Sequence, residues 1–465
     1  MSNATSADHL PPLPSYTLTP LPPIVPGLSD QLLALLLPIA AYWIVSIGFH
    51  ILDVCDLGSQ YRLHTPAEVL KRNHVTRYEV IKDVILQQII QTVFGLVIGM
   101  LDPVEMTGSQ SFEVAVWSRR IRAAQGFIPT GLSLGGVDAF GLGRNLEATH
   151  PIASGFFSGG QYPHLTQEVT GANGHSVTMP AFVSWEVWAA QLIYWLLIPA
   201  LQFGVAIFIV DTWQYFLHRA MHMNQWLYTT LHSRHHRLYV PYAFGALYNH
   251  PVEGFVLDTL GTGVAYLATG MTTRQGMWFF TCSTIKTVDD HCGYAFPWDP
   301  LQYITSNNAA YHDVHHQSWG IKTNFSQPFS TFWDRILGTV WSGGDVLARY
   351  ERSRIAAQKK VEEESESEGA STVNSAQIDR RRAAQQAAAS QKQVQEDENY
   401  GGQRVIEEEQ SEEREIRQRL SRSSRRKTGS FDPKSDGRFL GGLTGRMTNG
   451  LHSRSTAILH TNGRH

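Results

Sequence analysis

Two stretches of this chain are apolar and uncharged over a length that a soluble fold seldom accommodates. The first runs from Gln31 to Phe49, inside a segment without a charged residue from Gln31 to Leu52, and the second runs from Val187 to Val210. A helix of about 20 such residues spans the roughly 30 Å hydrocarbon core of a bilayer. A buried core helix is the alternative, but the length of the uncharged runs favours membrane spans.

Two further segments are weaker candidates. The run Val84 to Leu101 is interrupted by Gln87, Gln88 and Gln91, whose amides we expect to face neighbouring helices. Residues 255–288 hold two shorter apolar halves divided around Thr272-Thr273-Arg274, and this pattern predicts a helical hairpin that dips into or crosses the bilayer. Pro199 predicts a kink in the third span.

The average composition conceals these segments. A formal net charge of −3 argues against an electrostatic nucleic-acid binder, and 43% hydrophobic residues are typical of a soluble protein. Charged low-complexity blocks in the C-terminal part lower the average, because such sequence cannot bury enough apolar surface to offset its chain entropy. The expected organisation is a disordered N-terminal tail (1–29), the first two membrane segments (30–101), an irregular insertion (102–184), a catalytic domain (185–345) and a disordered charged tail (346–465).

Basic residues beside the spans predict the orientation. Five lie between the first two spans and three follow the third, so both regions are expected in the cytosol: Arg62, Lys71, Arg72, Arg77, Lys82, Arg219, Arg234 and Arg237. The N-terminus and residues 102–184 would then be lumenal, although Arg119, Arg120 and Arg122 oppose this assignment.

The histidines are concentrated in one region. Of 20 in the chain, ten lie between positions 218 and 316, in the motifs HRAMH (218–222), HSRHH (232–236) and HDVHH (312–316) and at two isolated positions, 250 and 291. Residues three or four apart share a helix face, so each motif directs two or three imidazoles to one place. A lone motif would more often be a pair of surface histidines, but three together exceed the needs of one tetrahedral zinc and indicate two metals. The candidate ligands are His218, His222, His232, His235, His236, His250, His291, His312, His315 and His316.

Acidic residues near these motifs are candidates to orient the ligating imidazoles. They are Asp211, Glu253, Asp289, Asp290 and Asp313. Asn307 and Asn308 could do the same, or could cap the helix that carries His312. His64 fits no motif and is expected to be an ordinary residue.

The ordered set HxxxH, HxxHH and a second HxxHH after a hairpin resembles the fatty acid hydroxylase superfamily of membrane di-metal oxygenases. The similarity extends over about residues 205–339, and the segments NHPVE and DDHCGY support His250 and His291 as ligands. The segment QYRLHTPAEVLKRNHVTRYEV (60–80) narrows the resemblance to the fungal sphinganine 4-hydroxylases. The long 102–184 insertion and the C-terminal tail depart from the family core.

This resemblance implies an all-α fold: a multi-pass membrane helical bundle whose cytosolic helical cap holds a His-rich di-metal site. It implies an iron-dependent monooxygenase of the endoplasmic reticulum that hydroxylates C-4 of sphinganine or dihydroceramide to give phytosphingosine-type bases. The implied cofactors are two iron ions, which zinc can replace on purification, and O₂. Electrons would come from NAD(P)H through cytochrome b5 and its reductase, and other sphingolipid enzymes are possible partners.

Two alternatives remain open from the sequence. A sterol desaturase or C-4 methyl sterol oxidase shares the histidine motifs, although it lacks the N-terminal pattern. A membrane metal transporter is a more distant alternative, because a transporter would place its ligands within the spans near the midplane of the membrane.

Overall fold

The computed structural model of the protein describes residues 10–100, 103–170 and 175–369. It is mostly helical and divides into two compact units. The first unit comprises residues 1–30, 101–205 and 269–275, and the second comprises residues 31–100, 206–268 and 276–465. Residues 370–465, which include most of the predicted disordered tail, and residues 1–9 lie outside the described part of the chain.

Seventeen α-helices follow one another along the described residues. The first eight are α1 (Asp30–Val54), α2 (Pro66–Arg72), α3 (Arg77–Gly99), α4 (Gln110–Gln125), α5 (Ile128–Leu134), α6 (Ala139–Leu146), α7 (Pro151–Phe157) and α8 (Ser184–Leu192). The others are α9 (Ile198–Met223), α10 (Gln225–Thr230), α11 (Pro251–Gly254), α12 (Gly261–Thr269), α13 (Thr273–Asp290), α14 (Leu301–Ile304), α15 (Ala309–His316), α16 (Phe332–Leu337) and α17 (Val346–Gly369).

Four short strands form two antiparallel pairs within the first unit. Strand β1 (Thr19–Pro20) pairs with β2 (Met106–Thr107), and β3 (Thr166–Thr170) pairs with β4 (Ser176–Pro180). The register of the second pair places Thr166 opposite Pro180 and Thr170 opposite Ser176. The predicted all-α class is therefore correct in its main feature, with two small strand pairs that the sequence pattern did not indicate.

Three helical segments among the described residues are long and apolar enough to cross a membrane: Asp30–Val54, Arg77–Gly99 and Ser184–Met223. Their outer faces are apolar, since Ile44 on α1 is 71% exposed and Leu201 on α9 is 68% exposed. Such surfaces require lipid rather than water, so the protein is a membrane protein. The predicted hairpin forms as α12 and α13, which meet at Gly270 (φ +61°), but it is not among these three segments.

The third segment is one continuous helical run with an irregularity where the kink was predicted. A π-helical turn, Ile193–Leu197, joins α8 to α9 directly before Pro199. Proline cannot donate a backbone hydrogen bond, and a widened turn accommodates the missing donor without ending the helix. The run therefore continues to Met223 and carries the first histidine motif beyond the apolar stretch.

Helices α2 and α3 begin at matching capping boxes. Thr65 accepts from the backbone N–H of Glu68, whose carboxylate accepts from the backbone N–H of Thr65, and Thr76 and Glu79 repeat the arrangement. These contacts satisfy amides that a helix start otherwise leaves unpaired. They fix the start of α3, which packs through Val80 and Val84 into a core with Tyr42 and the 238–248 segment.

The segment 102–184, predicted to be irregular, contains four helices (α4 to α7) and the β3–β4 pair. Its core includes a buried ion pair in which the Arg122 guanidinium donates to both carboxylate oxygens of Glu186, at 2.5 and 2.6 Å. Local signals for the short helices are present, such as Asp138 accepting from the Gly141 amide at the start of α6. Helices α5 to α7 lack a sustained apolar period, because their seven or eight residues complete only about two turns.

The predicted charged tail begins with an ordered element. Helix α17 packs against α2, and its Tyr350 donates a hydrogen bond of 2.5 Å to Asp313. Ala357 on the same helix is buried. Tyr350 and Ala357 thus form the contact face of this helix. The sequence did not indicate this face, because most of the neighbouring residues are charged.

The Tyr350–Asp313 hydrogen bond predicts a local effect of Tyr350→Phe. A bond to a charged acceptor contributes about 1.5–3 kcal/mol, so we expect tryptic cleavage within residues 346–369 of the membrane-bound protein to become at least about 10-fold faster. Tyr303→Phe is the matched control, because Tyr303 is 59% exposed. Equal cleavage rates in both variants would contradict an anchoring role for Tyr350.

Candidate metal centre

Three local structures present the histidine motifs. Helix α9 places His218 and His222 one turn apart near its C-terminal end. The HSRHH motif forms a 3-10 helix, His232–Arg237, directly after α10. The HDVHH motif occupies α15, whose first turn is capped by Asn308, which accepts from the Tyr311 amide at 2.9 Å. Asn308 is therefore the helix cap, one of the two roles considered for it.

The structure brings nine of the ten candidate histidines into two buried groups. In each group one ring nitrogen per residue lies within 4.8 Å of all the others. The first group contains His218, His222, His232, His236 and His315, and the second contains His235, His291, His312 and His316. The groups adjoin, since the rings of His236 and His316 are 5.0 Å apart.

Each HxxHH motif is divided between the two groups. His232 and His236 belong to the first group and His235 to the second, whereas His312 and His316 belong to the second and His315 to the first. Adjacent residues point about 100° apart around an α-helix such as α15 and about 120° apart around a 3-10 helix, so neighbouring histidines diverge in both motifs. The paired histidines at the end of each motif therefore serve different groups.

Backbone carbonyls fix the tautomers of most of these imidazoles. The Nδ1–H groups of five of them donate to carbonyl oxygens at 2.7–3.0 Å: His218 to Phe325, His235 to Tyr248, His291 to Thr287, His315 to Thr323 and His316 to Leu238. The Nδ1–H of His232 donates to the Glu253 carboxylate. Because a carbonyl oxygen only accepts, each of the five rings carries its proton on Nδ1 and presents the lone pair of Nε2 to the interior.

The Nε2 atoms of neighbouring rings lie at close range. The Nε2 atoms of His218 and His232 are 3.1 Å apart, and those of His291 and His312 are 3.0 Å apart. Metal–nitrogen bonds of about 2.0–2.1 Å separate neighbouring ligand nitrogens by about 3.0–3.4 Å. A cation within each group resolves the repulsion between the lone pairs, so the donor set fits two metal ions.

Burial keeps the imidazoles neutral. It lowers the pKa of His232 to about 3 and that of His291 to about 3, and with the nearby His232 it lowers the pKa of His235 to about 4. Metal ligation requires the neutral ring. The site is therefore held in its ligating form at physiological pH.

His250, the tenth candidate ligand, lies outside both groups. It precedes α11, and its Nδ1 accepts from the backbone N–H of Val252 at 3.3 Å. This is the position of a helix N-cap, and Pro251 at the first helical position reinforces the start. An isolated histidine before a proline carries no spacing signal that distinguishes a cap from a ligand.

The five candidate carboxylates have different partners. Only Glu253 contacts a ring of the two groups, His232. Asp211 accepts from the backbone amides of Phe329 and Ser330 and so holds the 324–331 loop, whose Phe325 carbonyl orients His218. The other three bind elsewhere: Asp290 accepts from Lys286 and Asn307, Asp289 from Gln302, and Asp313 from Tyr350 and Gln317.

Sequence reasoning missed the role of His64. Its ring is buried and bridges Glu68 and Asp313, each at 3.0 Å, and the two carboxylates raise its pKa to about 9. Asp313 lies between two histidines of α15, so His64 ties α2 to the helix that presents them. The spacing of His64 and Glu68, four residues apart beside a capping threonine, was the available signal.

Comparison with known proteins decides the family. The profile of the fatty acid hydroxylase family matches residues 203–339. A sphingolipid C4-hydroxylase of Saccharomyces cerevisiae is 41% identical over 354 residues, which cover 76% of this chain and 84% of that protein. This chain belongs to the fatty acid hydroxylase family. The sequence-based prediction of the family is confirmed.

Other relatives differ in how much of the chain they match. Sphinganine C4-monooxygenase 2 of Arabidopsis thaliana is 36% identical over 67% of this chain and 88% of its own length. Methylsterol monooxygenase 1 of Rattus norvegicus is 37% identical, but over 28% of this chain and 43% of its own length. No solved structure matches the chain significantly.

The two groups predict the metal content of the purified protein. We expect about two transition-metal ions per chain by plasma mass spectrometry, and about one or fewer after His316→Ala or His222→Ala, which remove a ligand from one group each. His250→Ala should retain both ions. His164→Ala is the control for expression and handling, since its side chain is 76% exposed. Loss of metal in His250→Ala alone would contradict the grouping.

Proposed function

We propose that this protein is a membrane-bound iron monooxygenase that hydroxylates C-4 of a sphingoid long-chain base, giving phytosphingosine-type products. The observation that carries the proposal is the pair of adjacent groups of buried neutral imidazoles with converging lone pairs. The near full-length similarity to sphingolipid C4-hydroxylases supports the choice of substrate and of carbon.

Nine histidines are the proposed ligands, five for one ion and four for the other, without His250. Two iron ions bound there would supply the reductive activation of O₂ that cleavage of an unactivated C–H bond requires. In the overall reaction one oxygen atom enters the C–H bond and the other leaves as water, with two electrons and two protons consumed. The contribution of the chain is to hold the imidazoles neutral and oriented through the carbonyl contacts of their Nδ1–H groups.

The electrons come from a separate protein. The sequence contains no glycine-rich dinucleotide fingerprint that follows a strand, so we propose cytochrome b5 with its NAD(P)H-dependent reductase as the donor. The basic residues beside the spans support an active site on the cytosolic side of the endoplasmic reticulum membrane. A cytosolic helical cap on a multi-pass bundle is the corresponding architecture.

The alternatives fit the observations less well. The sterol oxidase relative matches 28% of the chain, whereas the C4-hydroxylase relatives match 67–76% of it. A transporter needs ligands along a path through the membrane. Here seven of the nine candidate ligands follow the last of the three candidate spans, and the other two lie in its final two turns.

The test is long-chain-base profiling in cells that lack their own C-4 hydroxylase. Expression of the protein should restore phytosphingosine, while His235→Ala and His315→Ala should each lower it more than about 100-fold, because even a residue that only orients a ligand contributes about 10–100-fold. Both variants should remain in the membrane fraction.

Two variants serve as comparisons in the same cells. His250→Ala should keep most of the activity, and His164→Ala should be indistinguishable from the unmodified protein. Full activity in His235→Ala would refute its assignment as a ligand. Altered sterols with unchanged long-chain bases would assign the protein to the sterol oxidases instead.

A further inference from the structure

A small cavity with both polar and apolar residues in its wall adjoins the histidine groups. His232 and His235, from different groups, are part of its wall, together with the carboxylates of Glu253, Asp258 and Asp290. The cavity also exposes the amides of Gln214, Asn249 and Gln327. An apolar lipid tail in this cavity would bury these carboxylates and amides without partners, which is costly. The lining therefore favours a polar ligand group.

Burial raises the pKa of Asp258 to about 7, and an adjacent cation would favour its ionised form. Its carboxylate accepts from the side-chain amides of Gln87 at 3.1 Å, Asn249 at 3.4 Å and Gln214 at 3.5 Å. None of its ion-pair or hydrogen-bond partners among the described residues is a cation. Three neutral amides orient the carboxylate and leave its charge available to a ligand.

The other two carboxylates of the cavity, Asp290 and Glu253, form hydrogen bonds with protein side chains. Asp290 is paired with Lys286 and accepts from Asn307 at 3.1 Å. Glu253 is 1% exposed, and one of its oxygens accepts from His232. Its second oxygen, Oε2, has no hydrogen-bond partner in the described part of the chain. A buried acceptor of this kind in a cavity wall indicates a missing donor.

Glycine at position 254 allows this arrangement. A Cβ added there would lie 2.2 Å from Oε1 of Gln87, the residue whose amide holds Asp258. Any side chain at position 254 would push Gln87 away from the carboxylate. The packing of α11 against α3 is therefore linked to the orientation of Asp258.

The proposed reaction, on which this inference rests, sets a strict requirement on the cavity. In a long-chain base, C-4 is adjacent to the C-3 hydroxyl and two bonds from the carbon that carries the amino group. With carbon–carbon bonds of about 1.5 Å, the amino nitrogen lies only about 3–4 Å from the carbon that reacts. When C-4 approaches the histidine groups, the charged headgroup must therefore lie beside them.

We propose that this cavity is the headgroup subsite, that Asp258 is the counter-ion of the C-2 ammonium, and that Glu253 Oε2 accepts from a headgroup hydroxyl. A protonated amine balances the charge of Asp258, whereas the amide of a ceramide does not. The preferred substrate is accordingly the free long-chain base rather than its N-acylated form.

The test compares sphinganine with N-acetylsphinganine in detergent–lipid micelles, using the full-length protein with its electron donors. For the unmodified protein we expect the KM of N-acetylsphinganine to be about 10–100-fold higher, the range for losing a hydrogen bond to a charged group. Asp258→Asn should raise the KM of sphinganine by a similar factor and abolish the difference between the substrates. Its metal content should be unchanged.

Asp56→Asn is the matched control, because Asp56 has a side chain that is 70% exposed, and it should keep both KM values. Equal KM values for the two substrates in the unmodified protein would overturn the inference without any variant. An unchanged KM for sphinganine in Asp258→Asn would also overturn it. If the unmodified protein hydroxylates neither substrate, the proposed function itself fails, which separates the two conclusions.

Discussion

The site depends on one kind of interaction, the hydrogen bond from an imidazole Nδ1–H to a backbone carbonyl. Five rings are oriented in this way: His218 and His316 by carbonyls 107 and 78 residues away, and the other three by carbonyls within 13 residues. Each bond fixes both the direction of a ring and the nitrogen that carries its lone pair. The positions of the loops that follow α9 and α15 are therefore as important to the site as the helices that carry the histidines.

The buried acidic residues hold those loops in place. Asp211 on α9 binds the amides at 329 and 330, and Asp334 binds the amides of Phe325 and Ser326 at 3.0 and 2.8 Å. Two carboxylates thus fix one loop from both sides, and its Phe325 carbonyl orients His218. Of the five carboxylates considered from the sequence, only Glu253 contacts an imidazole of the two groups; Asp211 binds backbone amides, and the other three bind side chains.

Regular spacing explains what could be predicted from the sequence. The three motifs predicted eight members of the two groups, and the i, i+4 pair of each motif lies within one group, whereas the i, i+3 pairs are divided between the groups. The long apolar runs likewise predicted α1 and the α8–α9 segment. His291 was predicted from its position between the histidine motifs and supported by the family resemblance, since nothing in its local spacing marks it.

Features that depend on contacts between distant residues escaped prediction. The ion pair of Arg122 with Glu186 joins residues 64 positions apart. A sequence pattern does not reveal such a pair, so the 102–184 segment was predicted to be irregular. The same applies to His64 with Asp313 and to Tyr350, which orders the start of a tail that composition alone indicated to be disordered. His250 was predicted to be a ligand because it is close to the motifs in sequence, but it lies outside both groups.

The division of each HxxHH motif between the two groups has a consequence for how the centre assembles. A metal ion bound by His232 and His236 would fix the backbone that presents His235 to the neighbouring group, and α15 would couple the two groups in the same way. Two ions would therefore not load as independent events. A partly demetallated population should contain mostly empty and fully loaded chains, with few that hold a single ion.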